Sequence, residues 1–265
     1  MEKITSRQNS RVKELVKLQS KKHRRQKQQF LLEGFTLIEA ALQAGAALRE
    51  IYISADIEEK EELEKIKNLA GDGAIFINLS PPLMEEVSTT VNPQGIVAVA
   101  EKKTASLEDL LVKPEPLLLL ARIQDPGNAG TLLRTAAGAG IEGVIALKGT
   151  VDLYNPKVIR SSMGGMFRAS ICTDVELEDF IKAVIDEAEE RRLVMAQPDS
   201  GQLYFEADFS RNDIFVVGNE SRGLPGELKS LNHIPVSIPL PGGLESLNAA
   251  VAGSIIIFDW LRQNH

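Results

Sequence analysis

Beyond residue 115 the chain alternates between short apolar runs and helical stretches. "LLLLARI" is followed by "NAGTLLRTAAGAG", and "GVIALKG" by "YNPKVIRSSMGGMF". Then come "ASICTDV", "LEDFIKAVIDEAEERR", "LVMAQP", "DIFVVG", "HIPVSIPLP" and a closing "SLNAAVAGSIIIFDWLRQ". Strands separated by helices pair in parallel, because a parallel connection needs a crossover long enough to hold a helix. The expected fold class is α/β, a mostly parallel sheet with helices on both faces. No internal repeat or low-complexity tract interrupts it.

Upstream, residues 5–28 read as one or two polar, basic helices with a narrow stripe of Val12, Leu15, Val16 and Leu18. "FLLEGFTLIEAALQAGA" starts as a strand and passes Gly34 into a helix over Thr36 to Ala44. "LREIYIS", "AIFINLS" and "GIVAVAE" read as strands. "DIEEKEELEKIKNLA" reads as a helix with Leu63, Ile66 and Leu69 on one side, and "PPLMEEVS" as a short helix entered through proline. This makes a small α/β domain. Residues 102–116, charged and carrying two prolines, look like a linker. The expected domains are 1–105 and 106–265.

The chain has 265 residues with 43% hydrophobic content, enough for a substantial core. Its one cysteine, Cys172, excludes an internal disulfide framework and cysteine-cluster metal sites, which fits a cytoplasmic setting. Neither "PLLLLA" nor "SIIIFDWL" is long enough to span a membrane. His23, His233 and His265 are scattered and no carboxylate cluster has ligand spacing, so no metal is expected. Charge is uneven. Residues 1–30 hold ten Lys/Arg and two acids, a local +8, so the remainder of the −7 chain carries −15. A basic arm on an acidic body suggests a polyanion partner, although a solvated helix face has the same signature.

"GAGIEG" at Gly138–Gly143 matches a dinucleotide fingerprint, but that motif needs a strand before it and a helix after it. Here the order is reversed, and the glycines read as a helix C-cap and tight turn. Four other segments place small and polar residues at strand ends or helix starts, where open α/β sheets bind ligands. They are "QDPGNAGTLLRT", "NPKVIRSSMGGMF", "VGNESRGLP" and "IPLPGGLESLNAAVAG". Singly, each has a structural reading: Asn128 as an N-cap, Arg134 as a surface residue, Ser246 as the cap of the last helix, Glu220 as a turn residue.

Together and in this order, these segments resemble the SpoU/TrmH family of RNA ribose 2′-O-methyltransferases of the SPOUT group, over roughly residues 115–265. Asn128, Gly130 and Arg134 match its N-x-G-x-x-x-R motif. Gly218, Glu220 and Gly223 match G-x-E-x-x-G. Ile238, Pro239, Gly242, Gly243, Ser246, Leu247 and Asn248 match the third motif. "FLLEGFTLIEAAL" looks like the start of the family's small N-terminal substrate-binding domain, which resembles a ribosomal protein.

The resemblance implies a trefoil-knotted C-terminal domain and S-adenosylmethionine as cofactor, wrapped by Gly218, Asn219, Glu220, Ile238, Gly243 and Leu247. It implies that Arg134 assists the ribose hydroxyl and that Asn128 orients Arg134 or the substrate. Glu220 would hold Arg134 or the loop, and Ser246 and Asn248 would act near the methyl group. It also implies a homodimer, for which the apolar last helix (Ile255, Ile256, Ile257, Phe258, Trp260) is suggestive. The expected substrate is structured RNA, ribosomal before transfer RNA. A non-catalytic RNA-binding or ribosome-assembly factor is the alternative of another class, and turnover separates the two.

Overall fold

The computed structural model describes residues 2–57, 61–197, 202–219 and 221–265. It forms two compact units: 1–102 with 154–167, and 103–153 with 168–265.

The first unit holds β1 (Glu2–Ile4), α1 (Ser10–Leu18), α2 (Lys21–Lys27), β2 (Gln29–Glu33), α3 (Phe35–Gln43), β3 (Leu48–Ser54), α4 (Glu61–Ala70), β4 (Ile75–Leu79), α5 (Pro81–Val87) and β5 (Ile96–Glu101). Its sheet runs β1-β4-β3-β5-β2, parallel at β1/β4/β3 and antiparallel where β5 pairs with β3 and β2. Asn9 and Ser20 cap α1 and α2 by accepting backbone N–H bonds from Arg11 and His23. The apolar stripe of α1 (Val12, Leu15, Leu18) packs with Leu83, Met84 and Val87 of α5 and Leu31, Tyr52 and Ile77 of the sheet. On α4, Leu63 and Ile66 are buried but Leu69 is 42% exposed, so the expected three-residue face is two residues wide.

The second unit begins with α6 (Leu107–Leu111) and continues through β6 (Leu117–Ala121), α7 (Pro126–Gly138) and β7 (Gly143–Leu147). The chain then contributes α8 (Pro156–Ser162) to the first unit. It resumes with β8 (Ser170–Val175), α9 (Leu177–Glu187), β9 (Leu193–Ala196), β10 (Ile214–Gly218), β11 (His233–Val236) and α10 (Ala249–Asn264). The expected linker is part of this core: Leu107, Leu110 and Leu111 are buried with Phe180 and Val184 of α9. "GAGIEG" does join helix to strand, from the end of α7 into β7.

The sheet is parallel throughout, in the order β11-β9-β10-β6-β7-β8. Successive side chains of β6 alternate between faces. Leu117, Leu119 and Ala121 share a core with α6 and α9, while Leu118 and Leu120 are equally buried. On β10, Phe215 stacks edge-on against Trp260 of α10, and Val217 closes on Gly253 of the same helix. A Cβ on Gly253 would lie 2.7 Å from Val217 and 2.9 Å from Leu132, so glycine sets how closely α10 approaches β10 and α7.

The strand order places the site. The chain runs outward from β6 to β8, then returns past β6 to lay down β9, β10 and β11. The order therefore reverses between β6 and β10, where Ala121 pairs with Gly218 at the carboxyl ends. Open α/β sheets bind ligands at such a reversal.

Candidate active site

Three of the four segments singled out in the sequence meet at this edge. Helix α7 is capped by Asp125, whose Oδ1 accepts the Asn128 N–H at 2.8 Å, with Pro126 opening the first turn. The expected cap, Asn128, lies inside the helix and is 9% exposed. Its Oδ1 accepts a 2.8 Å hydrogen bond from Asn248 Nδ2. Asn248 is the N-cap of α10, its Oδ1 accepting the N–H groups of Ala250 and Val251 at 2.9 and 3.2 Å. One asparagine thus satisfies two donors of the last helix and ties the first motif to the third. Ser246, expected as a cap, is exposed two residues before it.

The second motif joins through Asn219. Its Nδ2 donates to the Arg122 carbonyl at 3.0 Å, linking the exits of β10 and β6. Its Oδ1 accepts the N–H groups of Ser221 and Arg222, and its backbone pairs with Gly223 in both directions. The loop therefore folds back on Gly218. A Cβ there would sit 2.9 Å from the carbonyl carbon and oxygen of Gly223 and 2.8 Å from Leu224. Glycine at 218 is required by the chain's own return. Glu220 lies outside the described residues.

Arg134 is exposed on the third turn of α7, and its guanidinium makes no hydrogen bond or ion pair among the described residues. Behind Arg134, Thr135 Oγ1 and Ser254 Oγ meet at 2.8 Å between α7 and α10.

The approach to α10 has a different character. Residues 238–247 make one backbone hydrogen bond among the described residues, the Gly243 N–H to the Leu240 carbonyl. Ile238 and Leu247 are half-buried, and 241–246 are exposed. This leaves a row of main-chain donors and acceptors between two apolar side chains. The segment expected to be strand over 233–241 keeps strand structure only to Val236, after which the Ser237 N–H turns to the Gln202 carbonyl.

The remaining segment, "NPKVIRSSMGGMF", folds into the first unit as α8, with Arg160 donating to Thr89 Oγ1 at 2.9 Å. Thr89 and Thr90 in turn donate to Glu33. Among the described residues no group of three His, Cys, Asp or Glu is placed to hold a metal, and no helix is long and apolar enough to cross a membrane.

Residues 115–258 match the SpoU rRNA Methylase family. The chain belongs to that family. Residues 9–98 match the MRM3-like substrate binding domain. The 23S rRNA (guanosine(2553)-2′-O)-methyltransferase of Bacillus subtilis is 32% identical over 97% of this chain and 98% of its own length. An uncharacterized tRNA/rRNA methyltransferase of Synechocystis is 34% identical over 98% of this chain and 93% of its own. The crystal structure of an AdoMet-bound rRNA methyltransferase from Sinorhizobium meliloti superposes with a TM-score of 0.86 at 29% identity, covering 98% of this chain and 97% of that one. The three tied segments lie within or beside the matched region and are the ones whose motifs resemble the family's in the sequence.

Two features of this edge are not read from the sequence. One is the cap role of Asp125, which the expectation of Asn128 as N-cap hides, although an acid before proline is a cap signal. The tie from Asn219 to the Arg122 carbonyl has no sequence signature, because it depends on which strands are neighbours.

Proposed function

We propose that this chain is an S-adenosylmethionine-dependent methyltransferase that modifies a ribose 2′-hydroxyl in structured ribosomal RNA. The observation that carries this is the Asn248–Asn128 hydrogen bond, supported by the Asn219–Arg122 tie, which gathers three family motifs at the reversal of the sheet.

The residues present suit the cofactor. Adenosine offers a flat apolar ring with hydrogen-bonding edges. Ile238 and Leu247 provide apolar walls, and the unpaired backbone around Gly243 provides donors and acceptors. Gly218 and Asn219 shape the facing loop, to which we also assign Glu220. When bound, S-adenosylmethionine supplies an electrophilic methyl group on sulfur.

The protein must then position and activate the hydroxyl. Arginine stays protonated in proteins, so Arg134 acts electrostatically, stabilising the developing oxyanion and holding RNA backbone rather than taking the proton. Its exposure and lack of a carboxylate partner among the described residues leave it available for RNA. Asn128 and Asn248 fix the helix ends that carry Arg134 and the glycine loop, and Ser246 lies exposed between them. Much of the rate comes from this positioning. We read the path through 238–248 as the family's knot.

We also assign a homodimer. On α10, Val251 and Phe258 are 47% and 49% exposed and Ile255 is half-buried between them, one helical face of spacing i, i+4, i+7. Ile256, Ile257 and Trp260 are spent on the core. A monomeric mass at micromolar concentration would remove the dimer.

The function is tested by incubating the protein with labelled S-adenosylmethionine and separated RNA classes. Label in ribosomal RNA supports it. Label confined to transfer RNA would replace the substrate, and cofactor binding without turnover on any RNA or ribosomal particle would leave a binding factor.

A further inference from the structure

We propose that Arg122 and Arg222 grip an RNA phosphate at the carboxyl edge of the second unit's sheet, as binding residues additional to Arg134. This rests on the RNA methyltransferase reading.

Arg122 directly follows β6 and has φ +65°, a left-handed conformation that a long side chain adopts only against steric cost. Both of its main-chain groups are held there. Its N–H donates to Thr150 Oγ1 at 3.2 Å, and its carbonyl accepts from Asn219 Nδ2 at 3.0 Å. Its stem lies over Gly149, where a Cβ would meet Arg122 Cγ at 3.4 Å. Glycine or asparagine would occupy position 122 with less strain, so packing alone does not account for arginine.

The guanidinium is the part left unused. Arg122 is exposed and its side chain makes no hydrogen bond or ion pair among the described residues. Elsewhere in this acidic unit arginines do find carboxylates, as Arg192 finds Asp213 and Arg262 finds Asp259. Arg222 is equally exposed and its side chain is equally bare among the described residues. Its backbone N–H is seated on Asn219 Oδ1 at 2.9 Å. A single side-chain amide therefore orders both arginine-bearing loops.

Two planar cationic forks springing from one amide, at the edge that gathers the motifs, suit a phosphodiester, whose oxygens accept bidentate guanidinium bonds. Phosphate contacts position RNA without reading its sequence, so the effect is uniform across RNAs of one class.

The test uses the full-length chain, in vitro-transcribed large-subunit ribosomal RNA and filter binding, which reports affinity without turnover. The variants are Arg122→Asn, which tolerates left-handed φ, Arg222→Gln, and the double. Counterion release at ~0.15 M salt makes one phosphate contact worth about 4- to 6-fold in affinity and about 0.7–0.9 in the slope of log K against log salt. The double variant, which removes the whole grip, is expected to lose that much, and each single variant a part of it. Cofactor affinity should stay within 2-fold, and the melting temperature of Arg122→Asn should be unchanged or higher. RNA affinity and salt slope equal to wild type would overturn the inference. So would weakened cofactor binding with RNA affinity intact, which would assign the guanidinium to the cofactor's carboxylate. A parallel methyl-transfer assay separates the two claims: wild type that binds RNA but transfers no methyl fails the proposed function, not the phosphate grip.

Discussion

Replacing Asn248 divides one side chain's two duties. It caps α10 through Oδ1 and donates through Nδ2 to the buried Asn128. Asn248→Ala loses both. A lost N-cap costs about 1 kcal/mol, and a lost hydrogen bond between neutral amides costs about 1 kcal/mol more. Asn248→Ser keeps a good cap but is too short to reach Asn128, so it should lose only the second. In a chain of this size each ~1 kcal/mol moves the melting temperature by roughly 2–4 °C. The expected falls are about 4–8 °C for Asn248→Ala and about 2–4 °C for Asn248→Ser. Thermal and urea unfolding should be measured alongside cofactor affinity by equilibrium dialysis. A double-mutant cycle with Asn128→Ala should return a coupling of about 1 kcal/mol, because the residues are in contact. Equal losses in the two Asn248 variants, or zero coupling, would refute the division of labour.

Other outcomes follow from the same geometry. Gly218→Ala puts a Cβ against the Gly223 carbonyl, so the return loop must shift; cofactor affinity should fall more than 10-fold while unfolding midpoints move little, and an unchanged affinity would contradict this. Gly253→Ala presses on Val217 and Leu132 and should destabilise by about 1–3 kcal/mol, partly offset by alanine's better helix propensity; a stabilised variant would show that α10 can retreat freely. The Glu14 carboxyl is held below its ordinary value, first by its hydrogen bond with His23 and then by Lys17. Its contribution should be complete above about pH 4.5 and be lost as pH falls through the lower folded value. The urea midpoint of wild type should therefore converge on that of Glu14→Gln as pH falls below about 4.5, and a constant gap would deny the linkage.

The sequence made the strands and most helices legible because β6, β7 and β10 are continuous apolar runs and α9 and α10 are long. What it hid depended on neighbours. The three-residue β1 is too short to show a period, and it exists because Glu2–Ile4 pairs with Ile77–Leu79. The leucines of α6 look like linker residues until α9 is laid against them. The helix around Val158 and Ile159 reads as the second unit's own, yet its partners lie in the first: Gly164 closes on Ala40, and Tyr154 packs 4.9 Å from Phe30. At the site, motif spacing named Asn128, Arg134, Gly218 and Asn248, but not that Asn128 and Asn248 bond to each other. Caps were misassigned by local similarity, since Asp, Asn and Ser cap almost equally well. Geometry chose Asp125 and Asn248.

The most direct test is methyl transfer by wild type and Arg134→Ala, with labelled S-adenosylmethionine and ribosomal and transfer RNA from a strain lacking this gene. Wild type should label ribosomal RNA at one alkali-resistant linkage. Arg134→Ala should lose on the order of 10²–10³ in rate, as for removal of an oxyanion-stabilising group, with cofactor affinity intact. Full activity in that variant, or no label in any RNA or immature ribosomal particle despite bound cofactor, would contradict the account.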